Sequence, residues 1–442
     1  MRAFRAHQLS DDLERIQLEY SVVGGAAWAR LFEETLAALR FPVAEHPLTL
    51  TEAVDLLSDP DRDTRRTAAK AIGQGLGDNS RLFVHIFNTV LKEKEIDDRW
   101  RQYPHPLAAR NLENQIEDEV VEALVAAVRE SYPRLSHRYY ALKARWFGLE
   151  HLEYWDRNAR PCHRTTRVAM AGSEARDIVL GAYHAFSPDL ATIGRRFFDH
   201  AWIDAPPRPG KTGGAFAHAT VPAVHPYLLL NYMGKQDDVM TLAHELGHGI
   251  HQVLSAEQGS LLSGPSTPLS ETASLFGEML TFRALLAAES DPAQRRFILA
   301  GKVENMLNTL VRQIALHTFE SMVHEERRKG ELSAEEIGRL WMQVHSESLG
   351  PAVHFDEEYS SYWGCASHLI EMPFYVYSYA FGECLVNTLY AVYQSGAVPD
   401  FQDRYITMLR AGGTLRHKAL LAPFGLDASD PAFRQRGLNM IS

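Results

Sequence analysis

His244-Glu245-Leu246-Gly247-His248 sets two imidazoles four residues apart, with a carboxylate beside the first. The motif lies in an apolar-periodic segment, Asp238 to Leu254, that no proline interrupts. On a helix, residues i and i+4 stand one turn apart on the same face, so both rings can address one ion. That is the spacing a zinc site needs. Glu245 reaches a water on the ion rather than the ion itself. The ion acidifies the water and the carboxylate takes its proton, which is the chemistry of a hydrolase. Asp237 and Asp238 open the segment, where carboxylates complement the helix dipole and can cap. Gly247 and Gly249 are its weak helix formers, and glycines beside ligands let another backbone approach closely.

Catalytic zinc keeps three protein ligands and one open position. The candidate for the third is Glu271, in Pro268-Leu-Ser-Glu-Thr-Ala-Ser-Leu-Phe-Gly-Glu278. Thr267 followed by Pro268 reads as the N-cap and first residue of a new helix. Glu271, Ser274 and Glu278 share one face of it. Glu271 is expected to bind the metal and Glu278 to orient a ligand histidine from behind. On spacing alone, a pair of solvated glutamates stays open. His251 is seven residues from His244, two turns and about 10 Å along the axis. It is expected to line the cleft or hold a carbonyl, not to ligate.

The elements that must position these groups are mostly helical. Leu48 to Leu57, Asp63 to Leu76, Ser80 to Glu95, Glu117 to Glu130, Leu135 to Leu149 and Glu174 to Phe186 carry apolar residues at helical spacing. So do Ala293 to Arg328, Ser333 to Ser348, Phe374 to Ser395 and Asp400 to Ala411. Only Gly213 to Tyr232 reads as sheet, with runs Ala215 to Val221 and Tyr227 to Tyr232 bounded by Gly and Pro. An edge strand there, just before the zinc helix, could pair with an extended peptide by strand addition, and Gly213 and Gly214 would permit its approach. An ordinary hairpin is the other reading.

The run Asp237 to His251, followed by Ser270-Glu-Thr-Ala-Ser274, resembles the thimet-oligopeptidase-like (M3) zinc metallopeptidases, and within them the oligoendopeptidase F branch. Tyr154-Trp-Asp-Arg157, Phe198 to Asp204, Arg208 to Phe216 and Leu228 to Tyr232 look like that branch too. So do Trp363, His368, Pro373 to Gly382 and Ala411-Gly-Gly413, so that the likeness runs from about residue 50 to the end. The resemblance implies a mainly α, zincin-like fold with a small β-sheet beside the active-site helix and a deep substrate cleft. It implies one Zn²⁺ held by His244, His248 and Glu271, and Glu245 as general base. A tetrahedral oxyanion needs a donor, and phenol and imidazole N–H groups serve. By resemblance His368 and Tyr377 take that part, with the choice among Tyr375, Tyr377 and Tyr379 left open. Residues 1–60 read as a remnant of the family's N-terminal helical region and 61–442 as the peptidase region. An N-terminally short chain is expected to have a more open channel.

Composition bounds the rest. Lys+Arg 45 against Asp+Glu 56 leaves a net charge of −11, which argues against a nucleic-acid or anionic-membrane surface. No apolar stretch nears the roughly 20 residues that span a bilayer. Met1-Arg-Ala-Phe-Arg leads into Ser10-Asp-Asp-Leu-Glu, not an apolar run, so no signal peptide is expected. Cys162, Cys365 and Cys384 are few and far apart, as in a reducing, cytoplasmic compartment. The expectation is a zinc endopeptidase cutting short unfolded oligopeptides. The alternatives are a catalytically weakened peptide-binding protein or another H-E-x-x-H zinc hydrolase.

Overall fold

The structure, a computed structural model, describes residues 2–43, 47–159, 170–208, 211 and 214–442. Cys162 and Gly213, both singled out in the sequence, lie outside the described residues. Helices dominate, as the periodicity predicts. Among the described residues no helix is long and apolar enough to cross a membrane. The chain divides into two units. The first comprises Met1–Glu113, Val128–Cys162 and Val311–Tyr377, the second Asn114–Ala127, His163–Leu310 and Ser378–Ser442.

The first unit has its own apolar core, in which Phe32, Phe87, Phe319, Trp341 and Trp363 meet. The Tyr154-Trp-Asp block is structural. Asp156 is fully buried, and both Arg62 and Arg65 bind its carboxylate at 2.8 Å. Unpaired, that charge would be costly to bury. Beside it, β1 (Leu152–Glu153) pairs in parallel with β5 (Val353–His354), an element the sequence did not announce.

The second unit holds the expected small sheet. Its strands β2 (Ile203–Asp204), β3 (Phe216–His218) and β4 (Tyr227–Leu229) lie in the order β2-β4-β3, with β4 parallel to β2 and antiparallel to β3. β3 and β4 fall inside the two runs read as strands; β2 is additional. The motif helix, Gln236–Ser255, starts where expected. The Asp238 carboxylate accepts from the backbone N–H groups of Met233 and Lys235, at 2.7 and 2.9 Å. It thus satisfies donors that the helix start leaves free. The buried stripe Val239, Leu242, Leu246, Ile250 and Leu254 turns this helix into the unit's interior.

Three helices differ from the periodic reading. The long Ala293 to Arg328 run is interrupted by a wide turn, Asn308–Arg312, between Pro292–Leu307 and Gln313–Arg327. Leu135 lies in a similar turn, Pro133–His137, before the helix Arg138–Trp146. The third begins at Tyr377 rather than Phe374, because Phe374 has φ +61°, a left-handed conformation that a helix cannot contain.

Within the first unit two side chains hold that bend. Arg110 Nε donates to the Pro373 carbonyl at 3.1 Å, and the Phe374 N–H donates to Glu320 at 2.8 Å. Glu320 is almost wholly buried, and burial pushes its carboxyl up to about 8 despite the Phe374 hydrogen bond. A folded-state pKa above the ordinary 4.5 means the folded protein holds the proton more tightly. The associated stability is complete below pH 4.5 and is lost as pH rises through about 8. Wild-type stability should therefore fall over that window by up to about 1.4 kcal/mol per pH unit more than in Glu320→Gln, which keeps the acceptor and cannot ionise. Thermal melts of the two proteins from pH 5 to 8.5 check this; parallel curves would remove Glu320 as the titrating group.

Candidate active site

The site is built from two helices of the second unit that cross at a glycine. A methyl group added at Gly247 would lie 2.5 Å from the Ala273 carbonyl oxygen and 2.7 Å from Ser274 Cα. The motif helix therefore touches the following backbone directly. The crossing is tied elsewhere by the Tyr183 hydroxyl, which donates to the Ala243 carbonyl at 3.1 Å and lies against Gly277. Glu271 is not inside a helix as expected. The chain forms a short turn of helix, Thr267–Ser270, then breaks, and Glu271 caps the next helix, Thr272–Ala288. Ser266, not Thr267, is the first N-cap. Pro268 stands in the first turn of that piece, where its missing N–H is no loss.

This junction carries Glu271 to the imidazoles. Its Oε2 lies 3.3 Å from Nε2 of His244 and 3.3 Å from Nε2 of His248. The three ligand atoms all lie within 4.8 Å of one another. Two ligands of a tetrahedral zinc, each about 2.0–2.1 Å from it, stand about 3.3 Å apart, so the donors already hold the spacing an ion requires. The charges agree. Burial opposes a charge on His244, but Glu271 and Glu278 outweigh it and pull the imidazole up to about 10. Burial likewise pushes Glu271 up, and its bonds to both imidazoles hold it well below the carboxylate range. The carboxylates thus demand positive charge between the rings, and a divalent cation with neutral imidazoles meets that demand.

The support behind the trio is also in place. Ser274 Oγ donates to Glu271 Oε2 at 2.9 Å. Glu278 Oε2 faces His244 Nδ1 at 3.5 Å, and its Oε1 accepts from Lys302 Nζ at 2.7 Å. Burial pushes Glu278 up, but Lys302 first and then His244 hold it at about 2. His251 is buried, hydrogen-bonded to the backbone of Leu409, and kept neutral by burial at about 4. That is the carbonyl-holding alternative; it does not line the cleft.

The cleft has a volume of about 660 Å³. His244, Glu245, His248 and Glu271 form part of its lining, with Ala215 to Ala217 of the β3 edge along one side. Glu245 is almost wholly buried, and burial raises its pKa against the pull of His244 and His248. A carboxylate raised toward neutrality is a better proton acceptor.

The tyrosines of this block divide between the two units. Tyr379 lines the cleft. Tyr377 has no exposed surface; it belongs to the first unit, its ring edge-on to His317 at 5.7 Å. Tyr377 is thus packed as a core residue is, whereas Tyr379 faces the cleft of the second unit. His368 is also in the first unit, its Nε2 without a hydrogen-bond partner. Burial and then Arg312 keep its imidazole neutral, with a pKa of about 4.

Lys302 and Glu383 line the cleft and went unnoticed in the sequence. Their signal was there. Ile298, Lys302 and Met306 share one buried helix stripe, and so do Ala380, Glu383 and Asn387. A charge on an apolar stripe is a buried charge that needs a partner.

Helices with a small sheet beside an H-E-x-x-H helix make a mainly α, zincin-like fold. Peptidase family M3 matches residues 184–440 and the Oligopeptidase F N-terminal family residues 1–41, and the chain belongs to peptidase family M3. Oligopeptidase PepF of Bacillus subtilis is 26% identical over 97% of this chain, which spans 64% of that relative. Group B oligopeptidase PepB of Streptococcus agalactiae is 26% identical over 98% of the chain, which spans 73% of it. Among solved structures, oligoendopeptidase-F from Enterococcus faecium superposes with a TM-score of 0.75 over 99% of this chain and 75% of its own, at 22% identity. PZ peptidase A with inhibitor 2 gives 0.80 over 100% of this chain and 78% of its own, at 17% identity. These superpositions establish a shared fold.

The geometry ranks two substitutions. Glu278→Ala should weaken metal retention about 10–100-fold by releasing His244. Glu271→Ala, which removes a ligand atom, should empty the site at the same metal concentration. Metal content after dialysis reads both; an emptied Glu278→Ala beside a loaded Glu271→Ala would reverse the assignment.

Proposed function

We propose that this chain is a zinc endopeptidase that hydrolyses short unfolded oligopeptides. The observation that carries the proposal is the convergence of His244 Nε2, His248 Nε2 and Glu271 Oε2 in one cleft with Glu245. The relatives' names, oligopeptidase and oligoendopeptidase, support the substrate class. The β3 edge beside the motif helix supports an extended peptide as ligand. The few cysteines support a cytoplasmic site of action.

His244, His248 and Glu271 would hold the ion. When bound, Zn²⁺ supplies Lewis acidity that polarises the scissile carbonyl and makes water a stronger acid. Glu245 accepts the proton of the attacking water and returns it to the leaving amine. Tyr379 donates its phenolic hydrogen to the oxygen that gains charge as the carbonyl is attacked. His368, neutral and carrying one N–H, enters on the resemblance as a second donor toward substrate. Gln252 Nε2 donates to the Ala217 carbonyl at 3.3 Å, so a peptide pairing along β3 displaces that bond.

A quenched oligopeptide should be cleaved by the purified chain, lose that cleavage to a chelator and regain it with zinc. No metal-dependent turnover would sink the proposal. Glu245→Gln should keep its zinc and lose about 10²–10⁴ in rate, because an amide cannot accept the proton. Tyr379→Phe should lower kcat by about 10²–10³ with zinc content unchanged, the usual cost of one oxyanion donor. Tyr377→Phe should leave kcat close to wild type; the reverse ranking would restore Tyr377 to the chemistry.

A further inference from the structure

The first unit carries a second cluster of metal-type donors, unrelated to the motif helix. β1 and β5 are parallel neighbours, with Leu152 opposite Val353 and Glu153 opposite His354. Side chains alternate across a strand, so His151 and Glu153 fall on one face, with His354 and Asp356 beside them. Burial follows that alternation. Leu152 and Val353 are core residues, while His151 and His354 remain about half exposed, at 48% and 58% of their side-chain surface. The sequence signature is His151-Leu-Glu153 running into β1 and His354-Phe-Asp356 running out of β5.

The donor atoms converge. His354 Nδ1 lies 2.9 Å from Glu153 Oε2 and 3.9 Å from Asp356 Oδ1. His151 Nε2 lies 3.3 Å from Glu153 Oε1. Ligand atoms of Glu153, His354 and Asp356 all lie within 4.8 Å of one another. Ligands on a tetrahedral ion stand about 3.3 Å apart, and the observed separations bracket that value. Lys70 Nζ binds Asp356 Oδ2, leaving Oδ1 turned toward His354 and fixing the carboxylate from behind.

We propose that Glu153, His354 and Asp356 form a second divalent-metal site that pins β1 to β5, with His151 at its edge against the other oxygen of Glu153. Two imidazoles among carboxylates select zinc, copper or nickel; calcium and magnesium prefer all-oxygen shells. The strands come from chain segments about 200 residues apart, so an ion there would tie together two distant segments of the first unit. The greater exposure of His151 and His354 implies an affinity weaker than that of the His244, His248 and Glu271 trio. This inference does not depend on the peptidase reading.

The test is zinc stoichiometry of the whole zinc-loaded 442-residue chain by equilibrium dialysis at micromolar free zinc. Wild type should bind a second equivalent. The pair His151→Ala/His354→Ala and, separately, the conservative Asp356→Asn should lose it, with peptide hydrolysis retained. Added zinc should raise the melting temperature of wild type and not of either variant. The same titration on His244→Ala/His248→Ala should leave only the equivalent that His354→Ala removes, which separates failure of one site from failure of the other. A wild type that saturates at a single equivalent, or a second equivalent indifferent to His151, His354 and Asp356, overturns the proposal.

Discussion

The contact between Gly247 and the backbone at Ala273–Ser274 governs the second unit's chemistry. Two helices usually pack with axes about 8–10 Å apart because side chains intervene. Here one helix presents no side chain at the crossing, and the partner backbone comes in directly. That closeness, and the break in the chain at Glu271, bring a carboxylate from one helix onto two imidazoles of another. Any side chain at position 247 would push the partner outward by the width of a methyl group or more, which exceeds the tolerance of a coordination shell. The glycine of H-E-L-G-H is thus a geometric requirement for bringing Glu271 to the two imidazoles, not for pairing the imidazoles with each other.

Electrostatics then decide what occupies the gap. Glu271 and Glu278 flank His244, and Lys302 balances only Glu278. Glu383 sits nearby with its pKa raised by burial, which limits the negative charge the cleft accumulates. The remaining unbalanced charge centres on the two imidazoles. A divalent ion between the rings would meet both imidazole nitrogens and the Glu271 oxygen at once. The arrangement is costly to leave uncompensated, and this would tie the retention of the proposed ion to residues behind it such as Glu278 and Lys302.

Much of this was legible before any coordinates. The motif helix, its aspartate cap and the glutamate downstream follow from spacing and cap chemistry alone. What escaped the sequence has physical causes. Phe374 takes a left-handed backbone that its residue type disfavours, so the helix start moved to Tyr377, and with it the face each tyrosine presents. Periodicity cannot see a wide turn such as Asn308–Arg312, which adds a residue without breaking the apolar pattern. Strands of two residues, such as β1 and β5, carry no detectable alternation of their own. Lys302 and Glu383 were readable as charges on apolar stripes, yet only their partners reveal that the stripe faces a cleft rather than a core.

The three candidate ligands come from one short stretch of chain, with Glu271 only 23 positions after His248. Closing a loop of that length costs roughly 3 kcal/mol of chain entropy, little beside the free energy that a structural zinc can return. Coordination is therefore a local event in a molecule whose core is assembled from distant segments. Such a centre can form early in folding and outlast partial melting elsewhere. A preparation could carry its full complement of the proposed ion while much of the polypeptide is loose, so metal content and native architecture would be separate quantities for this protein and report on different parts of it.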